Sequence, residues 1–188
     1  MHDYAARLLD LVTDPSVLQR LDAPVRLASG EMSRDFVDAK LAVDDPEDLA
    51  LVGRAMVAAA REAKVEFEAV GGLVLGAVPF TFAVAQAAPS KWFLIRKEPK
   101  GRGTNLWVEG ARLAAGMRVM LVDDVVTTGG SIKDAFERVS AEGARVVFAT
   151  TLVDRSGLAN DFFRAVGVPY APMLTYEQLG IEPVGRRP

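Results

Sequence analysis

The chain has 188 residues, half of them hydrophobic and a quarter charged, which is enough for one α/β domain with a substantial core. It has no cysteine and a single histidine, His2, so disulfides, thiolate metal sites and cysteine nucleophiles are excluded, and histidine-based catalysis is disfavoured. The net charge of -3 does not favour nucleic-acid binding, and no apolar run is long enough to span a membrane, so a cytoplasmic protein is expected.

The N-terminal segment differs in character from the rest of the chain. Its opening stretch, MHDYAARLLDLV, has the spacing of an amphipathic helix and lacks the basic start of a signal peptide. Short extended stretches around a Ser-Gly turn follow in Pro24–Lys40. We expect residues 1–40 to form a helix and a small hood on a single compact domain whose core is residues 41–188.

Helical and extended patterns alternate through the rest of the chain. Asp45 followed by Pro46 is typical of a helix start, since aspartate caps the first turn and proline fits within it. The later patterns are a strand, glycine-rich loop and buried helix (Phe67–Ala88), a short buried strand (Trp92–Ile95), a strand (Arg118–Val122), a helix (Ser131–Gly143) and a strand (Ala144–Asp154). This α/β alternation predicts a doubly wound, mostly parallel sheet flanked by helices, with ligands at the carboxyl ends of its strands.

Two consecutive acids, Asp123 and Asp124, follow the apolar run that ends at Val122. Paired carboxylates at a strand end can hydrogen-bond the vicinal hydroxyls of a sugar and stabilise positive charge on a sugar carbon. Taken alone, an Asp-Asp pair is as often a solvated or helix-capping corner, and a metal-binding acidic strand end is a further alternative.

A turn of small residues comes next, formed by Thr127, Thr128, Gly129, Gly130 and Ser131. Glycines let backbone N–H groups converge, the following helix adds partial positive charge, and the three hydroxyls add donors. The turn is therefore a candidate phosphate site.

The whole run VMLVDDVVTTGGSI closely resembles the 5-phosphoribosyl 1-diphosphate (PRPP) signature of the type I phosphoribosyltransferases. A second stretch, Phe93–Gly110, carries Arg96, Lys97, Lys100 and Arg102 between glycines. Read alone it is a solvated basic loop, but it is similar to the catalytic loop of the orotate phosphoribosyltransferases. Beside an acidic sugar site, such a loop can close as a cationic lid and neutralise a pyrophosphate leaving group.

Three further segments resemble the same family. Leu27–Lys40 is similar to its N-terminal Ser-Gly and aromatic segment over the base, Gly71–Pro79 to its pyrophosphate loop, and Leu152–Gly157 to the strand end whose arginine contacts orotate. The resemblance covers nearly the whole chain, so the sequence is identified as an orotate phosphoribosyltransferase or a close paralogue.

The resemblance implies the type I phosphoribosyltransferase fold, transfer of phosphoribose from PRPP to orotate, a Mg²⁺ cofactor held with few protein ligands, and a homodimer that shares its lids. It also implies roles for the residues that match the family motifs. Asp123 and Asp124 would hold the ribose, Thr127 to Ser131 the 5′-phosphate, and Arg96, Lys97, Lys100 and Arg102 the pyrophosphate. Arg155 and the backbone near Phe36 would hold the base.

The match departs from the family at a few positions. Arg102 stands where histidine is usual, Ala28 where some members have lysine, and Arg34-Asp35 where proline and an aromatic are common. Asp35 is compatible with a nearby orotate carboxylate only if it points away or pairs with Arg34. Two alternatives therefore stay open: a phosphoribosyltransferase for another base, and a non-catalytic regulator that senses PRPP.

Overall fold

The computed structural model describes residues 2–27, 29–99 and 107–185. Its elements are, in chain order, α1 (His2–Thr13), β1 (Leu18–Arg26), β2 (Met32–Val37), a 3₁₀ turn (Leu41–Val43), α2 (Pro46–Glu62), β3 (Ala69–Leu73), α3 (Val78–Ala87), β4 (Lys91–Ile95), β5 (Val108–Gly110), β6 (Arg118–Val126), α4 (Gly130–Ala141), β7 (Arg145–Asp154), α5 (Leu158–Ala165), β8 (Leu174–Thr175) and α6 (Tyr176–Leu179). Among the described helices, none has the length and apolar character needed to cross a membrane.

The main sheet has six strands in the order β5-β4-β3-β6-β7-β8. All neighbouring strands run parallel except β5, which pairs antiparallel with β4 at one edge. Because β3 and β6 are adjacent while the chain first crosses from β3 to β4, the strand order reverses at β3. The crevice beside that reversal is where ligands bind in open α/β sheets.

Helices cover both faces of the sheet, which confirms the predicted doubly wound arrangement. Residues that alternate along β6 enter different cores, because side chains on a strand point to opposite faces. Met120 and Val122 pack in the cluster that includes α2 and α3, whereas Val119 and Leu121 pack in the cluster that includes α4 and α5. The predicted start of α2 is also confirmed, since Asp45 accepts a hydrogen bond from the Glu47 amide at 2.8 Å.

A two-stranded antiparallel hairpin, β1–β2, precedes the main sheet and corresponds to the predicted hood. Side chains alternate on β2, so that Asp35 and Val37 are buried while Arg34 and Phe36 are exposed. Val37 belongs to the same hydrophobic cluster as α2, so the hairpin packs on the core. The proposed division of the chain at residue 40 stays a prediction.

Two predicted elements differ from those observed. The strand predicted to end at Val122 continues to Val126, because Asp123 and the residues after it pair with β7 as far as Asp154. Both aspartates therefore lie within β6. The strand around Trp92 is buried only in part, since Trp92 remains 40% exposed while Phe93 is fully buried. The short elements β5, α5, β8 and α6 were not predicted.

Candidate active site

A cavity of about 330 Å³ lies at the carboxyl ends of β3 and β6. Four segments that are distant in the sequence line it: Ser29 from the hood, residues 73–76 from the end of β3 onward, Lys97 after β4, and residues 123–132 with Asp134 from β6 and α4. Most of the predicted site residues meet in this cavity, namely Lys97, Asp123, Asp124, Thr127, Thr128, Gly129, Gly130 and Ser131. An acidic pair, a phosphate-type turn and a cation thus surround one space.

The two aspartates differ in burial and in hydrogen bonding. Asp123 is only 4% exposed, and its Oδ1 accepts the Asp124 amide at 3.0 Å. Asp124 is partly exposed, and its Oδ1 accepts the Val125 amide at 2.7 Å. The Thr151 hydroxyl on β7 donates to the Asp124 carbonyl at 2.8 Å, which anchors this part of β6. One carboxylate is therefore enclosed, and the other can reach a ligand.

The environment raises the pKa of Asp123 well above its ordinary value. Burial is the main cause, and the negative charge of Asp124 adds to it. The Asp124 amide and the positive charge of Lys97 act in the opposite direction. A cation or an electron-poor sugar carbon in the cavity would therefore relieve an existing repulsion between the carboxylates.

The turn before α4 has the backbone geometry of an anion site. Gly129 has φ +81°, in the left-handed region that favours glycine, and it precedes the first helical residue, Gly130. No side chain caps the start of α4, so its first N–H groups have no intrahelical acceptor, and the residues that carry them line the cavity. These donors and the hydroxyls of Thr127 and Thr128 suit a phosphate monoester.

Gly76 and Ser29 are among the cavity residues that the sequence does not single out. Gly76 passes against the acidic pair so closely that a Cβ there would lie 2.6 Å from Asp124 Oδ1. The Ser29 hydroxyl is buried and has no hydrogen-bond partner among the described residues. Their segments are the two that resemble the family's pyrophosphate loop and Ser-Gly motif. Which residue of each segment faces the acids is decided by packing, which the sequence does not show.

The basic segment is only partly described. Lys97 lines the cavity, while Lys100 and Arg102 lie outside the described residues. Arg96 faces a neighbouring cavity instead, where its Nη1 lies 3.4 Å from Glu109 Oε1 and its Nε donates to the Glu98 carbonyl at 3.2 Å.

The two residues predicted to contact the base do not line the main cavity. Arg155 is 1% exposed, and it donates to the Asp35 carbonyl at 2.9 Å and to the Ser33 hydroxyl at 3.0 Å. Its Nε is buried without a partner among the described residues. Burial lowers the pKa of Arg155, and the Asp35 charge opposes that shift. Phe36 is 39% exposed on the other face of β2.

The Asp35 carboxylate pairs with Arg20 on β1, with 3.6 Å between Arg20 Nε and Asp35 Oδ1. The sequence offered Arg34 as its partner, but Arg34 lies next to Asp35 on a strand and its side chain is on the opposite, exposed face. Asp35 is held inside the hood.

Within the described ranges, no group of three or more acidic or histidine side chains could enclose a metal ion. The carboxylates of Asp123 and Asp124 supply hard oxygens of the kind that Mg²⁺ prefers, but two such groups do not complete its octahedral shell. The site fits a magnesium ion only if the substrate and water supply most of the ligands.

Comparisons with a family model and with individual proteins point to the same family. Residues 42–162 match the model of the phosphoribosyl transferase domain. The chain is 39% identical over 173 residues to the orotate phosphoribosyltransferase of Rhodopseudomonas palustris strain TIE-1, covering 88% of this chain and 90% of the relative. It is 37% identical over 168 residues to that of Aquifex aeolicus, covering 86% and 90%.

Solved structures agree with the sequence comparison. The orotate phosphoribosyltransferase of Mycobacterium tuberculosis H37Rv in complex with Fe(III) dicitrate has a TM-score of 0.79 and 33% identity, covering 95% of this chain and 99% of that one. The same enzyme in complex with PRPP has a TM-score of 0.74 and 32% identity at the same coverage. The similarity therefore extends through the hood as well as the core.

Proposed function

The chain belongs to the orotate phosphoribosyltransferases of the phosphoribosyl transferase family, and from this membership we propose how its residues carry out the reaction. It is a pentosyltransferase that transfers the phosphoribosyl group of PRPP to orotate, giving orotidine 5′-monophosphate and pyrophosphate in pyrimidine nucleotide biosynthesis. The observation that supports the site assignment best is that an acidic pair and a glycine-rich turn line one cavity.

Asp123 and Asp124 bind the two ribose hydroxyls and stabilise the positive charge that develops on the anomeric carbon. Asp124 is the more exposed carboxylate and is placed to accept hydrogen bonds from the sugar. Asp123 lies deeper, and its pKa is raised. Positive charge that develops beside it stabilises the ionised carboxylate. Because this interaction is strongest at the transition state, it accelerates the reaction.

The turn from Thr127 to Ser131 holds the 5′-phosphate. Free N–H groups at the start of α4 and the turn hydroxyls supply the donors, and the helix adds partial positive charge. Holding the phosphate at one end and the ribose at the other fixes the anomeric carbon for attack by the base.

Lys97, Arg96, Lys100 and Arg102 bind the departing pyrophosphate. Lys97 lines the cavity, and Arg96 lies beside it, paired with Glu109. Arg102 stays charged at neutral pH, so it neutralises pyrophosphate but cannot deliver a proton to it. A reaction with pyrophosphate as leaving group needs the charge and not the proton.

Asp123 or Asp124 would hold a magnesium ion as one of few protein ligands. The ion would supply positive charge to the diphosphate. The residues named above hold the ribose, the phosphate and the leaving group in place.

The base lies between the hood and the end of β7. Arg155 and the backbone near Phe36 are the contacts that we propose, and the buried Nε of Arg155 is a donor without a partner among the described residues. Orotate attacks the sugar through a ring nitrogen, whose proton is released as the new N–C bond forms and the bond to pyrophosphate breaks. Asp35 is paired with Arg20 and so does not oppose the orotate carboxylate.

We also propose a homodimer in which the basic segment of one subunit completes the site of the other. The cytoplasmic location expected from the sequence stays a prediction.

The assignment is tested by following orotate consumption by absorbance with PRPP and magnesium. We expect turnover by the wild type and a loss of about 100-fold or more in Asp124→Asn, because a charge that meets the transition state is removed. Asp48→Asn, at a partly exposed position in the first turn of α2, is the matched control and should retain full activity. Tight magnesium-dependent binding of PRPP without orotate turnover would contradict the choice of base. Purine bases would then be the next substrates to test.

A further inference from the structure

An arginine on α4 stacks on a tryptophan beside the active site. The Arg138 guanidinium lies over the Trp107 ring, with 3.5 Å between its Cζ and the ring centroid. Arg138 is exposed and makes no ion pair with any residue in the described ranges. The ring is therefore its main contact, at a distance typical of a cation–π interaction.

Trp107 is hydrogen-bonded to Arg96, the residue at which the basic segment begins. Its carbonyl accepts the Arg96 amide at 2.9 Å, immediately beyond the β4–β5 pair. The Arg96 side chain also pairs with Glu109 on β5, so Arg96 is held here by both its backbone and its side chain. The residue that follows Arg96 is Lys97, which lines the main cavity.

One face of α4 connects this junction to the phosphate turn. Ser131, Asp134 and Arg138 are spaced three and four residues apart, so they lie on one side of the helix. That side lines a cavity of about 380 Å³ together with Arg96, Lys97 and Trp107. Ser131 and Asp134 also line the main cavity, so one helix contacts both the proposed phosphate site and the origin of the basic segment.

We infer that Arg138 is a positioning residue that acts through Trp107 to fix Lys97 relative to the phosphate turn of α4. This inference deepens the proposed function and rests on it, since Lys97 is taken to bind the diphosphate. Arg138 itself does not line the main cavity, so its effect on the substrate is indirect. Its loss should weaken PRPP binding and leave the base unaffected.

The kinetic test compares Arg138→Ala, Arg138→Lys and wild type. We expect Arg138→Ala to raise the KM for PRPP by about two- to fivefold, the range for an exposed cation–π contact, with the KM for orotate unchanged. Arg138→Lys should recover most of the difference, because an ammonium group can also lie over an indole ring. Arg145→Ala is the matched control, an exposed arginine at the start of β7, at the opposite end of the sheet.

A double-mutant cycle separates the stack from other effects of Arg138. If Arg138 acts through the ring, Trp107→Leu alone should raise the KM for PRPP, and adding Arg138→Ala should change it no further. Additive effects, equal changes in both KM values, or an unchanged KM in Arg138→Ala would overturn the inference.

A binding measurement keeps this test independent of turnover. The chain has two tryptophans, so Trp92→Phe leaves Trp107 as the only indole reporter. We expect its fluorescence to change on titration with PRPP and magnesium, and Arg138→Ala to shift the midpoint by the same two- to fivefold. If the wild type did not consume orotate, the proposed function would be wrong. The midpoint of the fluorescence titration would still test the role of Arg138. An unshifted midpoint would overturn that role.

Discussion

At the scale of single residues, Asp123 combines a functional position with an electrostatic penalty. Its carboxyl group is enclosed beside a second carboxylate, and both features raise its pKa in the folded protein. Unfolding returns the group to water, where its pKa is near the ordinary value. Folding therefore favours the protonated form, and the negative charge destabilises the fold wherever Asp123 is ionised.

This predicts opposite effects of Asp123→Asn on stability and on activity. The amide retains an oxygen that can accept the Asp124 N–H but carries no charge, so the melting temperature should rise by a few degrees at neutral pH. Orotate turnover should fall by about 100-fold or more, since a charge facing the transition state is lost.

The stability gain has a defined dependence on pH. Below about pH 4, the ordinary range for aspartate, both folded and unfolded wild type are protonated, so the variant gains nothing there. The gain should grow as the pH rises and reach its maximum above the raised pKa of folded Asp123. Thermal denaturation of both proteins between pH 4 and pH 8 checks this, and a gain that shrank as the pH rose would contradict it.

At the scale of elements, the loop after β3 passes close to the side chain of Asp124 on β6. Gly76 leaves room for the Asp124 carboxylate, since a Cβ at Gly76 would lie 2.6 Å from its Oδ1. That oxygen also accepts the Val125 amide, which fixes the position of the carboxylate. Two elements brought together by the strand order thus determine where the acid points.

Gly76→Ala should consequently affect activity more than stability. The added methyl group displaces the end of a side chain and not the backbone, so we expect a change of less than about 1 kcal/mol in the free energy of unfolding. Moving the carboxylate should lower kcat/KM for PRPP by about tenfold or more.

Gly53→Ala provides the contrasting control. A Cβ at Gly53 in α2 would lie 2.5 Å from the Ala83 carbonyl oxygen of α3, so the two helices must separate. That variant should lose stability by about 1–3 kcal/mol. Urea denaturation and steady-state kinetics on both variants separate the two effects, and a large loss of stability in Gly76→Ala would refute this account of the loop.

At the scale of the whole molecule, Arg155 links three distant parts of the chain. It lies directly after β7 and donates to Asp35 and Ser33 of the hood. It also donates to the Glu182 carbonyl at 3.5 Å, and its own carbonyl accepts the Val184 amide at 2.9 Å. Its side chain therefore attaches the hood and the C-terminal segment to the main sheet.

Arg155→Lys should loosen this attachment while retaining the charge. A lysine has one terminal nitrogen and cannot span the same acceptors, so buried carbonyls lose their donor at about 1–3 kcal/mol. We expect faster amide hydrogen exchange in β1 and β2 and unchanged exchange in β6, together with a higher KM for orotate.

Arg20→Gln is the comparison for this prediction. It removes the partner of the buried Asp35 carboxylate, but the Arg20 side chain is 75% exposed and largely solvated, so we expect a loss of only about 1 kcal/mol. Its exchange rates should stay near those of the wild type. If exchange rose equally throughout the main sheet in Arg155→Lys, the arginine would support global stability and not the attachment of the hood.

The sequence by itself determined the α/β alternation, the acidic pair and the turn from Thr127 to Ser131, because each depends on residues that are adjacent along the chain. It did not determine the end of β6, since that strand is extended by pairing with β7.

Only the tertiary structure decided that Gly76 and Ser29 line the same cavity as Asp124, that Asp35 pairs with Arg20, and that Arg138 reaches Trp107. The physical reason is that hydrophobic periodicity and local turn chemistry act over a few residues. Contacts between distant segments depend instead on strand order and on how helices pack against the sheet.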